Sequence, residues 1–229
     1  MSRETNLDAI KELLINFLYL DIRKTELSPL IVSHPIFSSG TIFYKGHLFD
    51  LFNSDDLSEI LKYYAERFYR IATVEQCFSN LRSLYYLTFL KYIEPYLSLK
   101  DFSYYLAFAW IAEEDPNNDV NVSTDLAVKW FKSSDKQSLM TAKEYVRYSG
   151  LPKHLTLYRG ISKDRNPDGL SWTESYEKAL WFANRFGKGY VLTGDANSAD
   201  VLAYFNRRDE DEIVISPKSI NDIRIVENQ

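Results

Sequence analysis

Three short segments in the last third of the chain carry side chains whose types and spacing suit chemistry. The first is Leu157-Tyr158-Arg159-Gly160. An arginine at a strand end presents a planar fork of donors that fits a phosphate. The adjacent glycine lets a ligand lie against the backbone. The second is Ser171-Trp172-Thr173. On an extended segment the two hydroxyls share one face and Trp172 takes the other. A hydroxyl in a cleft can hold a carboxylate in position, although Ser and Thr are also preferred helix N-caps. The third is Glu210-Asp211-Glu212, which runs into Ile213-Val214-Ile215. At a strand start, residues i and i+2 point to the same side, about 6–7 Å apart. Glu210 and Glu212 are therefore expected to enter one cleft while Asp211 points away. Two like charges that close cost energy unless a cationic substrate offsets them. Just before them, Tyr204 and Phe205 offer rings that either stack on a planar ligand or fill the core. Each segment also has an ordinary reading: an ion pair, a helix cap, an acidic turn, a pair of core aromatics.

The elements that must position these groups follow from periodicity and punctuation. Leu155–Tyr158 alternates as a strand, and 169–173 is a second extended piece. Thr173 or Ser175 is expected to cap a helix running to about Phe186, with Tyr176, Ala179, Leu180 and Ala183 as its apolar stripe. Gly187 suits its C-terminus. Residues 190–193, 212–216 and 223–226 read as strands, and 201–205 is ambiguous. Only Gly40 and Gly46 precede residue 148, whereas six glycines lie between Gly150 and Gly194, so the earlier part reads as helical. Helical spacing covers 6–24, 57–97 with a break near 72–75, 102–113, 123–132 and 139–148. Asp56 and Glu59 have capping-box-like spacing. Apolar segments at 30–37 and 41–49, with Ser39-Gly40 between them, predict a hairpin. The expected fold is α+β. A mainly helical region, 1–148, with the hairpin near 30–49 and a possible role in target recognition, packs against a small mixed-β domain, 149–229. The border near 148 is soft, because about eighty residues are few for such a domain.

Composition narrows the partners. The 229 residues are 45% hydrophobic and carry a net charge of −5, with no long basic run, so duplex nucleic acid is a poor candidate partner. A single cysteine, Cys77, excludes an internal disulfide and a cysteine-based zinc site. His34, His47 and His154 lie far apart, and no metal is expected. The oxygen-rich run Glu113–Asp119 lacks the spacing and terminal Glu of a calcium loop and reads as a solvated turn. Charged residues at positions 3, 4, 8, 11 and 12 leave no secretory apolar stretch, and no run approaches the ~20 uncharged residues of a membrane span. A cytoplasmic protein without membrane contact is expected.

The order of the three segments is more telling than any one of them. Arg on a first strand, Ser-x-Thr on a second followed by a helix, then Glu-x-Glu opening an apolar strand, resembles the Arg–Ser–Glu class of mono-ADP-ribosyltransferases, including cholera-type and clostridial actin-modifying toxins and their phage relatives. The resemblance covers about residues 155–217. The whole chain also resembles a protein type found in phages and Firmicutes. Here tryptophan occupies the centre of the Ser-x-Thr element, where the family has a small residue or threonine. Arg159 and Ser171 are also closer together than in the large toxins, which implies a compact version. The resemblance implies NAD as the bound substrate. Arg159 would hold its phosphates and Gly160 would offer its backbone to the nicotinamide amide. Trp172, Thr173, Phe182 and Phe205 would line the NAD pocket. Ser171 would hold Glu212, and Glu212 would bind the 2′-hydroxyl of the nicotinamide ribose. Glu210 would position the acceptor, and a Glu there goes with a protein arginine. Loss of nicotinamide leaves positive charge on the ribose, as in glycoside hydrolysis, and a fixed carboxylate stabilises that charge where it develops. The competing readings are an NAD glycohydrolase, a glycosidase using Glu210 and Glu212, and a non-catalytic interaction protein. The glycosidase fits poorly because both carboxylates lie on one strand face.

Overall fold

The computed structural model describes residues 3–162 and 165–226. They form an α+β chain that divides into two compact units between Ser98 and Leu99.

The first unit opens with α1 (Leu7–Leu18), which buries Ile10, Leu14, Ile15, Phe17 and Leu18. Asn6 caps it by accepting a hydrogen bond from the Ala9 N–H at 3.1 Å. Two short strands, β1 (Arg23–Lys24) and β2 (Val32–Ser33), pair antiparallel. The hairpin lies further on than its apolar segments predict. Its arms are β3 (Thr41–Tyr44) and β4 (His47–Asp50), and its turn is Lys45-Gly46 rather than Ser39-Gly40. Both turn residues have positive φ, 48° and 84°, the backbone that matches the twist of a tight hairpin. The expected long helical run is divided into α2 (Ser54–Tyr69), α3 (Val74–Ser79) and α4 (Tyr86–Ile93). Asn53, not Asp56, caps α2, because its Oδ1 accepts from the N–H groups of both Asp55 and Asp56. Asp56 instead accepts from the Asp50 N–H at 2.7 Å. His34 is buried, and its Nδ1 accepts from the Ile36 and Phe37 N–H groups at 3.1 Å each. Burial pushes its pKa down to about 4, so it is a neutral turn-former.

The second unit begins about fifty residues earlier than glycine usage suggests. Helices α5 (Leu99–Ala112), α6 (Thr124–Ser133), α7 (Lys136–Leu139) and α8 (Ala142–Ser149) belong to it. Both α6 and α8 pack on strand β8, and Thr141 with Glu144 forms a capping box at the start of α8. The strands are β5 (His154–Ile161), β6 (Ser171–Thr173), β7 (Tyr190–Asn197), β8 (Val201–Phe205), β9 (Glu212–Ile215) and β10 (Asn221–Val226). They make one sheet in the order β10-β7-β5-β6-β9-β8. Every pairing is antiparallel, so the sheet is not mixed as expected. β5 pairs with β7 along its whole length, from His154 opposite Asn197 to Ile161 opposite Tyr190. With β6 it pairs at a single position, Tyr158 opposite Thr173. β6 then joins β9 through three residue pairs.

Helix α9 (Tyr176–Asn184) is capped by Ser175, whose Oγ accepts from the Lys178 N–H at 3.2 Å. Its Ala179 and Ala183 form a buried cluster with Val191, against which Tyr158 and Tyr176 pack. Small residues on both sides allow a close approach. A Cβ on Gly160 would lie 2.0 Å from the Ala179 carbonyl oxygen and 2.6 Å from the Ala183 nitrogen. Gly160 is therefore needed for the helix to reach the sheet. Among the described residues no helix is long and apolar enough to cross a membrane. Gly160→Ala is expected to destabilise the second unit by about 3 kcal/mol, since backbone and not a flexible side chain blocks the added methyl. Urea unfolding measures this, and an unchanged midpoint would show that α9 can move away freely.

Candidate functional site

A cleft opens where the β5–β6 ladder stops. It holds about 850 Å³ of empty space, its open mouth included. Its walls come from α5 and the turn after it, from β5, β6 and α9, and from the turn before β9. Arg159, Gly160, Ser171, Trp172, Thr173, Phe182, Glu210 and Glu212 all line it, so the structure brings together all but one of the residues to which the resemblance gives a role. The exception is Phe205. It is 2% exposed and packs against Phe131 of α6, with ring centroids 6.2 Å apart. It shares its pairing position with Glu212, but α6 covers that end of the sheet. Tyr204 is likewise buried, and its hydroxyl donates to Asp211 at 2.5 Å.

Glu212 sits at the first position of β9, opposite Thr173. The Trp110 indole N–H donates to its Oε1 at 2.9 Å. Burial pushes its pKa up, and hydrogen bonds from the Ser171 hydroxyl and from Trp110 oppose that rise. Glu210 pushes in the same direction as burial, and Arg159 against it. The two carboxylates do share the cleft, but not by strand alternation. Asp211 between them has φ of 48°, a left-handed kink, so β9 begins only at Glu212. The kink is held by Asp211 itself, which accepts from Lys178 Nζ at 2.6 Å and from the Tyr204 hydroxyl, while the Asp211 N–H donates to Asn206 Oδ1 at 3.1 Å. Asp211 thus points away from the cleft, as its place between the two glutamates predicted, and holds the cleft-facing turn in shape.

Arg159 differs from its expected posture. The residue is 6% exposed, and its guanidinium bridges the gap between the parting strands. Nη1 donates to the Ser171 carbonyl at 2.5 Å and Nη2 to the Asn166 carbonyl at 2.7 Å. Nε is buried without a hydrogen-bond partner among the described residues. Burial pushes its pKa down to about 10, and the nearby Asp115 and Glu212 pull it back up. The side chain thus clamps the 166–171 strap as well as charging the cleft wall. Further cations line the cleft: Arg165, paired with Asp115 at 2.7 Å, Arg185, paired with Glu114 at 3.2 Å, and Arg208. Arg165 and Arg185 also lie over the ring of Phe186.

Trp172 is 2% exposed, and its indole N–H donates to the Gly169 carbonyl at 3.1 Å, so its bulk fills core space at the cleft wall. Thr173 accepts from the Ser175 N–H at 3.2 Å and leaves the helix cap to Ser175. Besides the wall residues Arg165, Arg185, Phe186 and Arg208, two residues that bond the site's own side chains escaped the sequence reading. Trp110 looks like one more apolar position of α5. Asn117 falls in the run read as a solvated turn, yet its amide bonds both Leu170 and Ser171. No local pattern marks either, because both act on residues more than fifty positions away. Among the described residues no cluster of three or more His, Cys, Asp or Glu side chains could hold a metal ion. Comparison with protein-family models, with curated proteins and with solved structures returns no match.

Chemically, the cleft offers a fixed carboxylate at its floor, a second carboxylate on an adjacent turn, and arginines with aromatic rings along its walls. That set suits a ligand with an anionic middle and a centre where positive charge develops. The raised pKa of Glu212 also has a consequence for stability. Between its unfolded value near 4.5 and its raised folded value, the folded protein binds the extra proton, so stability falls as pH rises through that window. Glu212→Gln removes this loss. The variant is expected to melt at a higher temperature than the wild type at pH 7, with the gap closing below pH 4.5, where Glu212 is protonated in both states. Calorimetry across that range checks it, and a wild type that melts higher at pH 7 would contradict the burial cost.

Proposed function

We propose that the second unit binds NAD in this cleft and transfers ADP-ribose to an arginine of a protein target, with release of nicotinamide. The observation that carries this reading is the adjacency of three strands, β5, β6 and β9, which bring Arg159, Ser171 and Glu212 into one cleft, where the Trp110 indole bonds Glu212 and the Ser171 hydroxyl holds its pKa down. These are the segments whose order resembles the Arg–Ser–Glu transferases.

In the proposed reaction the bond between the ribose C1′ and the nicotinamide nitrogen breaks, and nicotinamide leaves with the electron pair. Positive charge develops on the ribose. Glu212, held by Trp110 and Ser171, binds the 2′-hydroxyl and stabilises that charge without having to reorient. An acceptor guanidinium pairs with Glu210, gives up a proton there, and its nitrogen forms the new bond to C1′. Arg159, Arg165 and Arg185 supply positive charge along the walls for the diphosphate. The aromatic side chains of Phe182 and Phe186 give flat surfaces for the rings of the dinucleotide. No metal is required by this chemistry.

Incubation with labelled NAD and a bacterial lysate tests the reading. The wild type is expected to label protein, with the adduct on arginine by mass spectrometry. Glu212→Gln is expected to lose the reaction by a factor of at least ~100, the size typical of removing a fixed transition-state stabiliser. Glu210→Gln is expected to lose protein labelling while still cleaving NAD. Equal labelling by wild type and Glu212→Gln overturns the proposal. NAD cleavage by the wild type with no labelled protein means that water is the acceptor.

A further inference from the structure

Asn117 lies in the short turn after α5, between the strap that crosses the cleft and the β6 strand. The Leu170 N–H donates to its Oδ1 at 2.6 Å. A backbone N–H can only donate, so this contact fixes which way round the amide sits. Its Nδ2 then faces Ser171 Oγ at 3.0 Å, and that nitrogen can only donate. The Ser171 oxygen is therefore an acceptor towards Asn117, and its own proton must point elsewhere. Glu212 shares the cleft with Ser171, and its pKa is lowered by the Ser171 hydroxyl, so its carboxylate is the acceptor available to that proton. Leu170 is itself fixed, since its carbonyl accepts from the Ile215 N–H at 2.9 Å on β9. The chain of donors runs from Asn117 to Ser171 to Glu212, and Trp110 closes it from the other side at Oε1.

We infer that Asn117 is a positioning residue: it sets the direction of the Ser171 hydroxyl so that Ser171 donates to Glu212. Helix α5 and its following turn therefore supply both supports of the carboxylate, one direct through Trp110 and one relayed through Asn117. The catalytic consequence rests on the proposed transferase reading, whereas the direction of the hydroxyl does not. The charged groups facing Glu212 are Arg159 from β5 and Glu210 from the turn before β9, with Glu113 at the end of α5 also lining the cleft. The test leaves all three in place.

The substitution Asn117→Asp keeps an oxygen for the Leu170 N–H but puts an acceptor against Ser171 Oγ. The hydroxyl must then turn its proton towards position 117 and away from Glu212. Four proteins are compared: wild type, Asn117→Asp, Ser171→Ala and the double variant. The titration of Glu212 is followed by carboxyl carbon NMR, with Glu212→Gln identifying the signal. Any effect of the added charge on Glu212 is common to both backgrounds and cancels in the cycle. The relay predicts that Asn117→Asp raises the Glu212 pKa by about one unit more when Ser171 is present than when it is alanine, the worth of one hydrogen bond to a charged group. It also predicts an about tenfold fall in kcat for NAD cleavage with KM for NAD unchanged, and little further loss in the Ser171→Ala background. Equal titration shifts in the two backgrounds overturn the inference. If Asn117→Asp fails to fold, Asn117→Ala replaces it in the same cycle: loss of the fixed direction is expected to raise the Glu212 pKa by a smaller amount, and only when Ser171 is present, and equal shifts in the two backgrounds again overturn the inference. If none of the four proteins cleaves NAD, the functional reading falls, and the titration still decides the relay.

Discussion

A carboxylate enclosed by protein is costly, because burial removes water from the charged form. Glu212 is half-buried in the cleft wall, desolvated enough for its pKa to rise, and the arrangement around it offsets the cost. An indole N–H from α5 and a hydroxyl from β6 bond the charged form, and Arg159 adds an opposite charge from β5. These partners come from three elements far apart in the chain. Each must arrive within hydrogen-bond or charge range, so the positions of α5, β5, β6 and β9 are tied to one another through a single side chain. A charge held in this way does not need to reorganise when positive charge appears beside it, and this is the property the proposed transfer of ADP-ribose uses.

Space for a ligand beside that carboxylate comes from a sheet that is nearly torn. β5 and β6 share one residue pair and then part, while β5 remains fully paired with β7 and β6 with β9. Parted strands leave backbone groups without ladder partners, and these must be satisfied in another way. Arg159 does part of this work by donating to the carbonyls of Ser171 and Asn166. Its guanidinium therefore serves as a wedge that keeps the strands apart and as a fixed charge in the wall. On the other flank, Gly160 lets α9 sit directly on β5, which brings Phe182 to the cleft. The wall is shaped by the absence of a side chain at one residue and by a long one at its neighbour.

The acidic turn before β9 is built on a similar division of labour. Asp211 takes a left-handed backbone and is held by Lys178, Tyr204 and Asn206, while the glutamates on either side face the cleft. Tyr204, a candidate stacking residue, contributes its hydroxyl to this turn instead. In the proposed reaction the turn presents Glu210 to the acceptor, so its rigidity bears on which group can attack. The arginines at the rim are partly occupied by Asp115 and Glu114. A diphosphate entering the cleft would exchange those carboxylates for its own oxygens.

The sequence by itself determined the α+β class, most of the helices and strands, and the segments that meet in the cleft. Those are local matters: apolar spacing sets which face of α1 or α9 is buried, caps and glycines set where elements stop, and alternation marks β5. It also carried the set Arg159, Ser171, Glu210 and Glu212, because their order along the chain survives folding. What it misplaced depends on backbone detail or distant partners. The hairpin turn moved to Lys45-Gly46 because both residues take positive φ there. The border between units moved to Ser98–Leu99 because the packing of α6 and α8 on β8 is not written in glycine usage. Phe205 left the site because α6 covers it. Only the tertiary structure decided that Arg159 faces two carbonyls and that Trp110 and Asn117 belong to the site. The physical reason for these last three is that hydrogen bonds between residues outside one another's helix or strand repeat have no periodicity, so they become visible only when the chain has brought donor and acceptor together.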